Sequence, residues 1–209
     1  MGKHLLDPEQ YPRRAQFDLF RGYAFPYAGL TVNTDITDFL AGLRRRGEPF
    51  FLSFCWCVTR AANAVPAFRQ RIAGDRIVEY DFCPGSVTLA MPDESYCYCT
   101  LPDAQSFEEY LPLALAAKDA ALSSGSMEDG EDVDSLLFLS SVPWVSHTAL
   151  IQPVPQPADS NPRITWGKYF LQGDQTLIPV STLCHHALVD GRQLAAFYAA
   201  LERELAALA

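Results

Sequence analysis

The chain has 209 residues, 49% of them hydrophobic and 20% charged, a composition that suits one domain with a substantial buried core. A formal net charge of -9 leaves no basic surface to displace counterions, which excludes nucleic acid as a partner. No apolar run approaches the ~20 residues of a membrane span. Residues 1–12 hold neither an apolar leader nor a cleavage site, and Leu6 stands where a myristoylation signal needs Ser or Thr. The expected setting is the cytoplasm, with no membrane partner.

In chain order, residues 13–20 mix apolar and basic side chains and open the domain as a short helix or a lead-in to a strand. Residues 23–32, rich in aromatic and β-branched side chains, predict a strand. Thr34 and Asp35 offer an N-cap for a helix with Ile36, Phe39, Leu40 and Leu43 on one face and Gly47 as its stop. Residues 50–64 carry a single charge, Arg60, and their length favours a buried helix ending ahead of Pro66. Three strands follow at 76–81, 86–91 and 96–101, the first two parted by Pro84 and Gly85.

Ser106 and Glu109 form a capping-box pattern at the head of an alanine-rich helix that runs to Leu122. Residues 123–134 predict a polar, acidic loop, 136–139 a short buried strand, and 152–162, with four prolines, an irregular connection. Residues 164–171 and 176–183 pair as a hairpin about 172–175. After Gly191, the residues Leu194, Phe197, Tyr198, Leu201 and Leu205 recur at helical spacing. Strand and helix alternate irregularly, with no repeat and no linker. The class is therefore a single-domain α/β (α+β) fold over residues 1–209.

The six cysteines, Cys55, Cys57, Cys83, Cys97, Cys99 and Cys184, form no C-x-x-C pair and are expected as reduced thiols used as small hydrophobes. A zinc site built from Cys184, His185 and a C-x-C pair would lack the closed spacing such sites use, so no metal is expected. The informative stretch is His185-His186-Ala187-Leu188-Val189-Asp190-Gly191, where an apolar strand ends and a helix begins. A histidine there can present one ring nitrogen to a cavity, and neutral imidazole is the usual base near neutral pH. Gly191 permits a tight turn into the helix. Asp190 is too close in sequence to be assumed the acid of a triad and can instead hold the turn through an ion pair. Two packed histidines and a capping aspartate would leave the same pattern, because short motifs recur by chance.

The context of the motif narrows that choice. Ile164-Thr165-Trp166-Gly167-Lys168-Tyr169, then Gly173-Asp174, Pro179 and the stretch from His185 to Gly191 resemble the C-terminal third of the chloramphenicol acetyltransferases. Ser140 with Pro143-Trp144-Val145 resembles the family's Ser-x-x-Pro-Trp-Val segment. Arg13-Arg14 with Phe17, Asp35-Ile36-Thr37, and residues 75–81 are similar to its N-terminal segments. The wider superfamily of coenzyme A-dependent acyltransferases shares H-x-x-x-D-G. Its condensation domains and plant enzymes are two-lobed and longer, and its dihydrolipoyl members carry upstream modules. Length favours the simple trimeric branch.

The resemblance implies a two-layer sandwich with a mixed sheet, assembled as a homotrimer with active sites at the subunit interfaces. It implies acetyl-CoA as co-substrate and a small-molecule acceptor, chloramphenicol first, held in a mainly apolar and aromatic pocket. His186 is then the general base that deprotonates the acceptor hydroxyl. Ser140 bonds the tetrahedral oxyanion, with Ser141 as the alternative register, and Thr165 positions a water. Asp190 pairs with Arg13, or with Arg14, and Gly191 supports the same turn. Lys168 and Tyr169 fall near the coenzyme, and Phe20 and Tyr96 in the acceptor pocket. His185 has no implied chemistry. His147 and residues 148–162 depart from the family, as do Leu19, Phe20 and residues 96–99. Two further readings follow from these departures: the same reaction on another alcohol or amine, and a binding protein without turnover.

Overall fold

The strand β11 (Gln175–His185) is the axis of the computed structural model, which describes residues 2–128, 130 and 132–209. Residues 177–182 of β11 are buried without alternation, the mark of a strand covered on both faces. β3 (Thr31–Asp35) pairs with one edge and β9 (Arg163–Gly167) with the other, so Val180 lies opposite both Val32 and Trp166. β10 (Phe170–Gln172) folds back onto the start of β11 through Gly173, whose φ of 60° is left-handed. The sheet continues through β8 (Leu137–Val142), β6 (Gly85–Ala90) and β7 (Tyr96–Thr100). β8 runs parallel to both β6 and β9, whereas β6–β7 and β9–β11 are antiparallel. The result is the mixed sheet of an α/β fold, as expected.

Helices supply the second layer. α3 (Phe50–Asn63) packs on α5 (Gly191–Ala207) and on α4 (Phe107–Ser124), while α2 (Thr37–Arg46) lies against α5 and β11. α3 is apolar around nearly its whole circumference, which is why it is buried. Its one charge, Arg60, lies 3.3 Å from Glu204 of α5 and sits over the Trp56 ring. All six cysteines are free and buried. Burial pushes the Cys184 thiol up to about 12, so it stays protonated and unreactive. Among the described residues no helix is long and apolar enough to cross a membrane.

Several elements differ from the sequence expectations. The strand expected over 23–32 is broken into β2 (Tyr27–Ala28) and β3, because Gly29 approaches the Thr182 carbonyl so closely that a Cβ would not fit. Residues 13–20 resolve as the helix α1 (Arg14–Phe20). The helix expected after Thr34-Asp35 starts later, at Thr37, with the Asp35 carboxylate accepting the Thr37 N–H at 2.9 Å. The capping box at α4 is half formed: Ser106 Oγ accepts the Glu109 N–H at 3.3 Å, but the Glu109 carboxylate takes the N–H of Gln105. A second sheet, β1 (Lys3–Leu6), β5 (Arg76–Tyr80) and β4 (Gln70–Ala73), includes two strands with no clear period in the sequence. Part of the loop expected over 123–134, at positions 129 and 131, lies outside the described residues.

Arg71 of β4 ties that small sheet to the large one. It is 2% exposed, and its guanidinium donates to the carbonyls of Asp134 (2.6 Å), Phe68 (2.9 Å), Gln70 (2.7 Å) and Leu136 (2.9 Å). Two of these lie on the lead-in to β8. The Asn161 amide also donates to the Leu136 carbonyl at 2.8 Å and to that of Asp134 at 3.4 Å. Each buried carbonyl left without a donor costs ~1–3 kcal/mol, so Arg71→Leu should lower stability by at least ~2 kcal/mol in urea unfolding. A loss below ~1 kcal/mol would mean that the carbonyls find other donors.

Candidate active site

The chain turns from β11 into α5 within five residues, and the two histidines at that turn have different surroundings. His185 is 3% exposed, packs its ring against Tyr27, and accepts the Ala187 N–H at Nδ1 (3.3 Å). Burial pushes its pKa down to about 4, with Asp159 opposing the shift and His186 reinforcing it. His186 is half-buried, its main-chain N–H donates to the Pro26 carbonyl at 2.7 Å, and its Nδ1 lies 2.9 Å from the Val189 carbonyl. A carbonyl can only accept, so Nδ1 carries the proton and the neutral ring keeps its lone pair at Nε2. Phe20 packs on this imidazole with ring centroids 4.1 Å apart, and Tyr23 sets its edge against Phe20 at 5.2 Å.

Asp190 organises the turn. Its Oδ1 accepts the Arg192 N–H at 2.9 Å, and Gln193 returns the bond by accepting the Asp190 N–H, which completes a capping box on α5. Its Oδ2 receives the Arg13 guanidinium, whose other terminal nitrogen donates to the His186 carbonyl at 3.2 Å. Arg14, the other sequence candidate, pairs with Asp18 instead. Gly191 is not demanded by the backbone: its φ is not left-handed, and a Cβ there would meet nothing within 4 Å.

A second group forms on the sheet. The parallel register of β8 and β9 sets Ser140 beside Thr165. Ser140 lines a cavity of about 330 Å³ with Ser86, Thr88, Tyr96, Tyr98, Phe138 and Gln152 among its walls; Ser141 is not among them. Thr165 is 1% exposed, and its hydroxyl accepts the Gln152 amide at 2.6 Å. Tyr96, Tyr98, Phe138, Leu139 and Pro153 give the cavity the mainly apolar, aromatic surface implied by the resemblance, with the hydroxyls and the Gln152 amide set among them. Tyr98 lies in the stretch 96–99 singled out in the sequence, whereas sequence reasoning missed Gln152, Ser86 and Thr88. Only the strand alternation at 86 and 88 carried a signal for any of them.

Lys168 is exposed, and Tyr169 borders a separate cavity of about 500 Å³ with Arg44, Phe170, Leu171 and Thr176. His186 is not a wall of the Ser140 cavity. Thr165 pairs with Ser181, and His186 comes five residues later; at ~3.4 Å per residue that is roughly 17 Å along the strand. One chain therefore brings together Arg13, Phe20, His186 and Asp190 in one place, and Tyr96, Ser140 and Thr165 in another.

The Asp190 carboxyl is subject to opposing influences: burial raises its pKa, while the Arg192 N–H and the Arg13 guanidinium lower it further than burial raises it. A depressed folded value adds stability above the unfolded carboxylate pKa and loses it as pH falls through the folded one. Asp190→Asn should cost ~1–3 kcal/mol at neutral pH, a range reduced for partial exposure, and the gap should close in acid. Melting curves of both proteins across that range test it. For His185 the unfolded chain takes up the proton first, so stability should fall from pH ~6.5 to about 4. Over that interval His185→Gln should show a flatter Tm profile than the parent protein, and parallel profiles would contradict a neutral, buried His185.

The family model for chloramphenicol acetyltransferase matches residues 1–202. A chloramphenicol acetyltransferase from Klebsiella sp is 28% identical over 196 residues, covering 91% of this chain and 88% of that one. Another, from Streptomyces acrimycini, is 28% identical over 193 residues, covering 89% and 86%. A solved chloramphenicol acetyltransferase structure superposes with a TM-score of 0.91 at 25% identity, covering 98% of this chain and all of that one. With the fold, the order of motifs and a match over nearly its whole length in agreement, the chain belongs to the chloramphenicol acetyltransferase family.

Proposed function

We propose that the protein transfers the acetyl group of acetyl-CoA to a hydroxyl of a small-molecule acceptor, with chloramphenicol the leading candidate and His186 the general base. Membership of the family makes the chain a coenzyme A-dependent acyltransferase. The observation that carries the role of His186 is the Val189 carbonyl at Nδ1, which fixes the tautomer of the neutral ring with its lone pair at Nε2. Nε2 takes the acceptor proton as the oxygen attacks the thioester carbon. The C–O bond forms, and the carbonyl oxygen gains the negative charge that the Ser140 hydroxyl stabilises. The C–S bond then breaks, and the imidazolium returns the proton to the departing sulfur. The products are an acetyl ester and free coenzyme A. No group on the protein is acylated.

Thr165 fits beside this intermediate as a support for a water, since it is the register partner of Ser140. Phe20 would wall the acceptor near the base and Tyr96 near the serine. Lys168 and Tyr169, with Arg44 across the second cavity, offer cations and an aromatic face to a phosphorylated co-substrate.

The separation of His186 from Ser140 favours a site shared between subunits. Large apolar residues are exposed near both groups: Leu19, Tyr23 and Phe25 near the histidine, and Trp144 (73%) and Ile151 (94%) near the serine cavity. Two different patches on one chain meet head to tail, and such contacts close into a ring when the rotation between neighbours divides a full turn. A homotrimer with each site built from two chains satisfies both patches. A protein serving only to bind its ligand would have no use for a basic nitrogen held in this way.

His186→Ala should lower turnover by at least ~10²-fold while His185→Ala keeps much of it, measured as thiol release from acetyl-CoA with a working acceptor. The reverse result would shift the base by one residue. Refolding His186→Ala together with Ser140→Ala tests the shared site. With each inactive alone, random mixing should restore about a quarter of the parent sites if each spans two chains, and none if each lies within one.

A further inference from the structure

The acceptor cavity sets a few hydroxyls and one amide among apolar and aromatic walls, and its one charged wall residue is already neutralised. Arg163 lines it, but both terminal nitrogens of its guanidinium are committed to the Asp159 carboxylate at 2.7 Å, and one also reaches the Asn161 carbonyl. An anionic acceptor would find no free cation there, so the cavity suits a neutral molecule. Within this neutral setting Gln152 stands out. It sits in the segment that departs from the family, where its apolar neighbour Ile151 is turned outward and Gln152 is turned to the cavity. A buried or half-buried amide costs free energy unless both of its ends are used. Its Nε2 end is used, donating to the Thr165 hydroxyl at 2.6 Å. That bond fixes the plane of the amide and leaves Oε1 as an acceptor.

The segment around Gln152 is held firmly despite its irregular backbone. Gln156 donates to the Ala24 carbonyl at 3.0 Å, and Ser160 Oγ accepts the Ile72 N–H at 2.9 Å. The Tyr27 hydroxyl bonds the Asp159 carbonyl at 3.0 Å, close to the Arg163 pair. A polar group positioned this way before ligand arrives discriminates more strongly than a mobile one.

We propose that Gln152 is a specificity-determining residue that selects neutral acceptors with a second hydrogen-bond donor near the reacting hydroxyl, over singly hydroxylated apolar alcohols. The proposal rests on the acetyl-transfer reading above and names the chemical class of its acceptor. The second donor bonds Oε1, while the reacting hydroxyl lies between Ser140 and the incoming histidine. A site built to bond a hydroxyl rejects the analogue that lacks it, because its own polar group is then left dry and unpaired.

Matched acceptors test this on the full chain. One pair is chloramphenicol, with its second hydroxyl, and the deoxy analogue in which hydrogen replaces that hydroxyl. The other is a phenylpropanediol and the corresponding phenylpropanol. Thiol release from acetyl-CoA gives kcat/KM for each with the parent protein, Gln152→Leu and the similarly shaped Gln152→Met, with melting curves to establish that the variants fold. The parent should favour the diol of a pair by about tenfold or more, and both variants should bring that ratio to within about twofold. A uniform slowing of diol and mono-ol, with the ratio kept, would make Gln152 only a support for Thr165 and overturn the proposal. A parent without preference would overturn it too, with acetyl transfer intact. Absence of thiol release by the parent with all four acceptors would instead remove the acetyl-transfer reading, and this inference with it.

Discussion

One carboxylate holds the turn that carries His186. Asp190 ends the loop after the central strand, caps the last helix and anchors the N-terminal segment through Arg13. A cap alone would need only an acceptor for the first free N–H groups of α5. The ion pair adds a long-range tie across nearly the whole sequence, and Arg13 carries it on to the His186 carbonyl. The imidazole is thus fixed from both sides, by its own turn at Nδ1 and by the clamp on its main chain. A base displaced by about 1 Å can lose 10²-fold in rate, which gives this rigidity a purpose.

The sheet performs the corresponding task for Ser140, the proposed oxyanion donor. Parallel pairing of β8 with β9 fixes Ser140 against Thr165 without any contact between the side chains being required. Of the two adjacent serines, Ser140 lines the cavity and Ser141 does not. Precision on that side comes from main-chain register, and on the histidine side from capping and an ion pair. The two are built independently of each other.

Much of this was legible in sequence, for identifiable reasons. The α3 and α5 helices announced themselves through length and period, and the hairpin at Gly173 through its turn residues. The turn at His186 was marked by the abrupt change from apolar strand to helix. β1 and β4 were not legible, since β1 is an exposed edge and β4 takes its place from Arg71 and the pairing with β5. Gln152 was hidden for another reason. It lies among prolines in an extended segment without period, and its meaning comes entirely from Thr165, a partner in a different element. The resemblance implied the apolar, aromatic character of the pocket, and the polar residues set into it, Ser86, Thr88 and Gln152, emerged only when their separate elements were assembled side by side.

The burial of all six cysteines has a consequence for how such a protein lives with its own product. Each turnover of the proposed reaction liberates a thiol, and a thiolate attacks exposed disulfides or becomes trapped in mixed ones. A protein whose sulfurs lie at the surface would exchange with the coenzyme it releases. Here the sulfurs are enclosed, and those of Cys57, Cys99 and Cys184 are held protonated by desolvation, so the chain stays chemically silent toward both reduced and oxidised coenzyme. The same silence lets a disulfide dye titrate the liberated coenzyme without labelling the protein that made it.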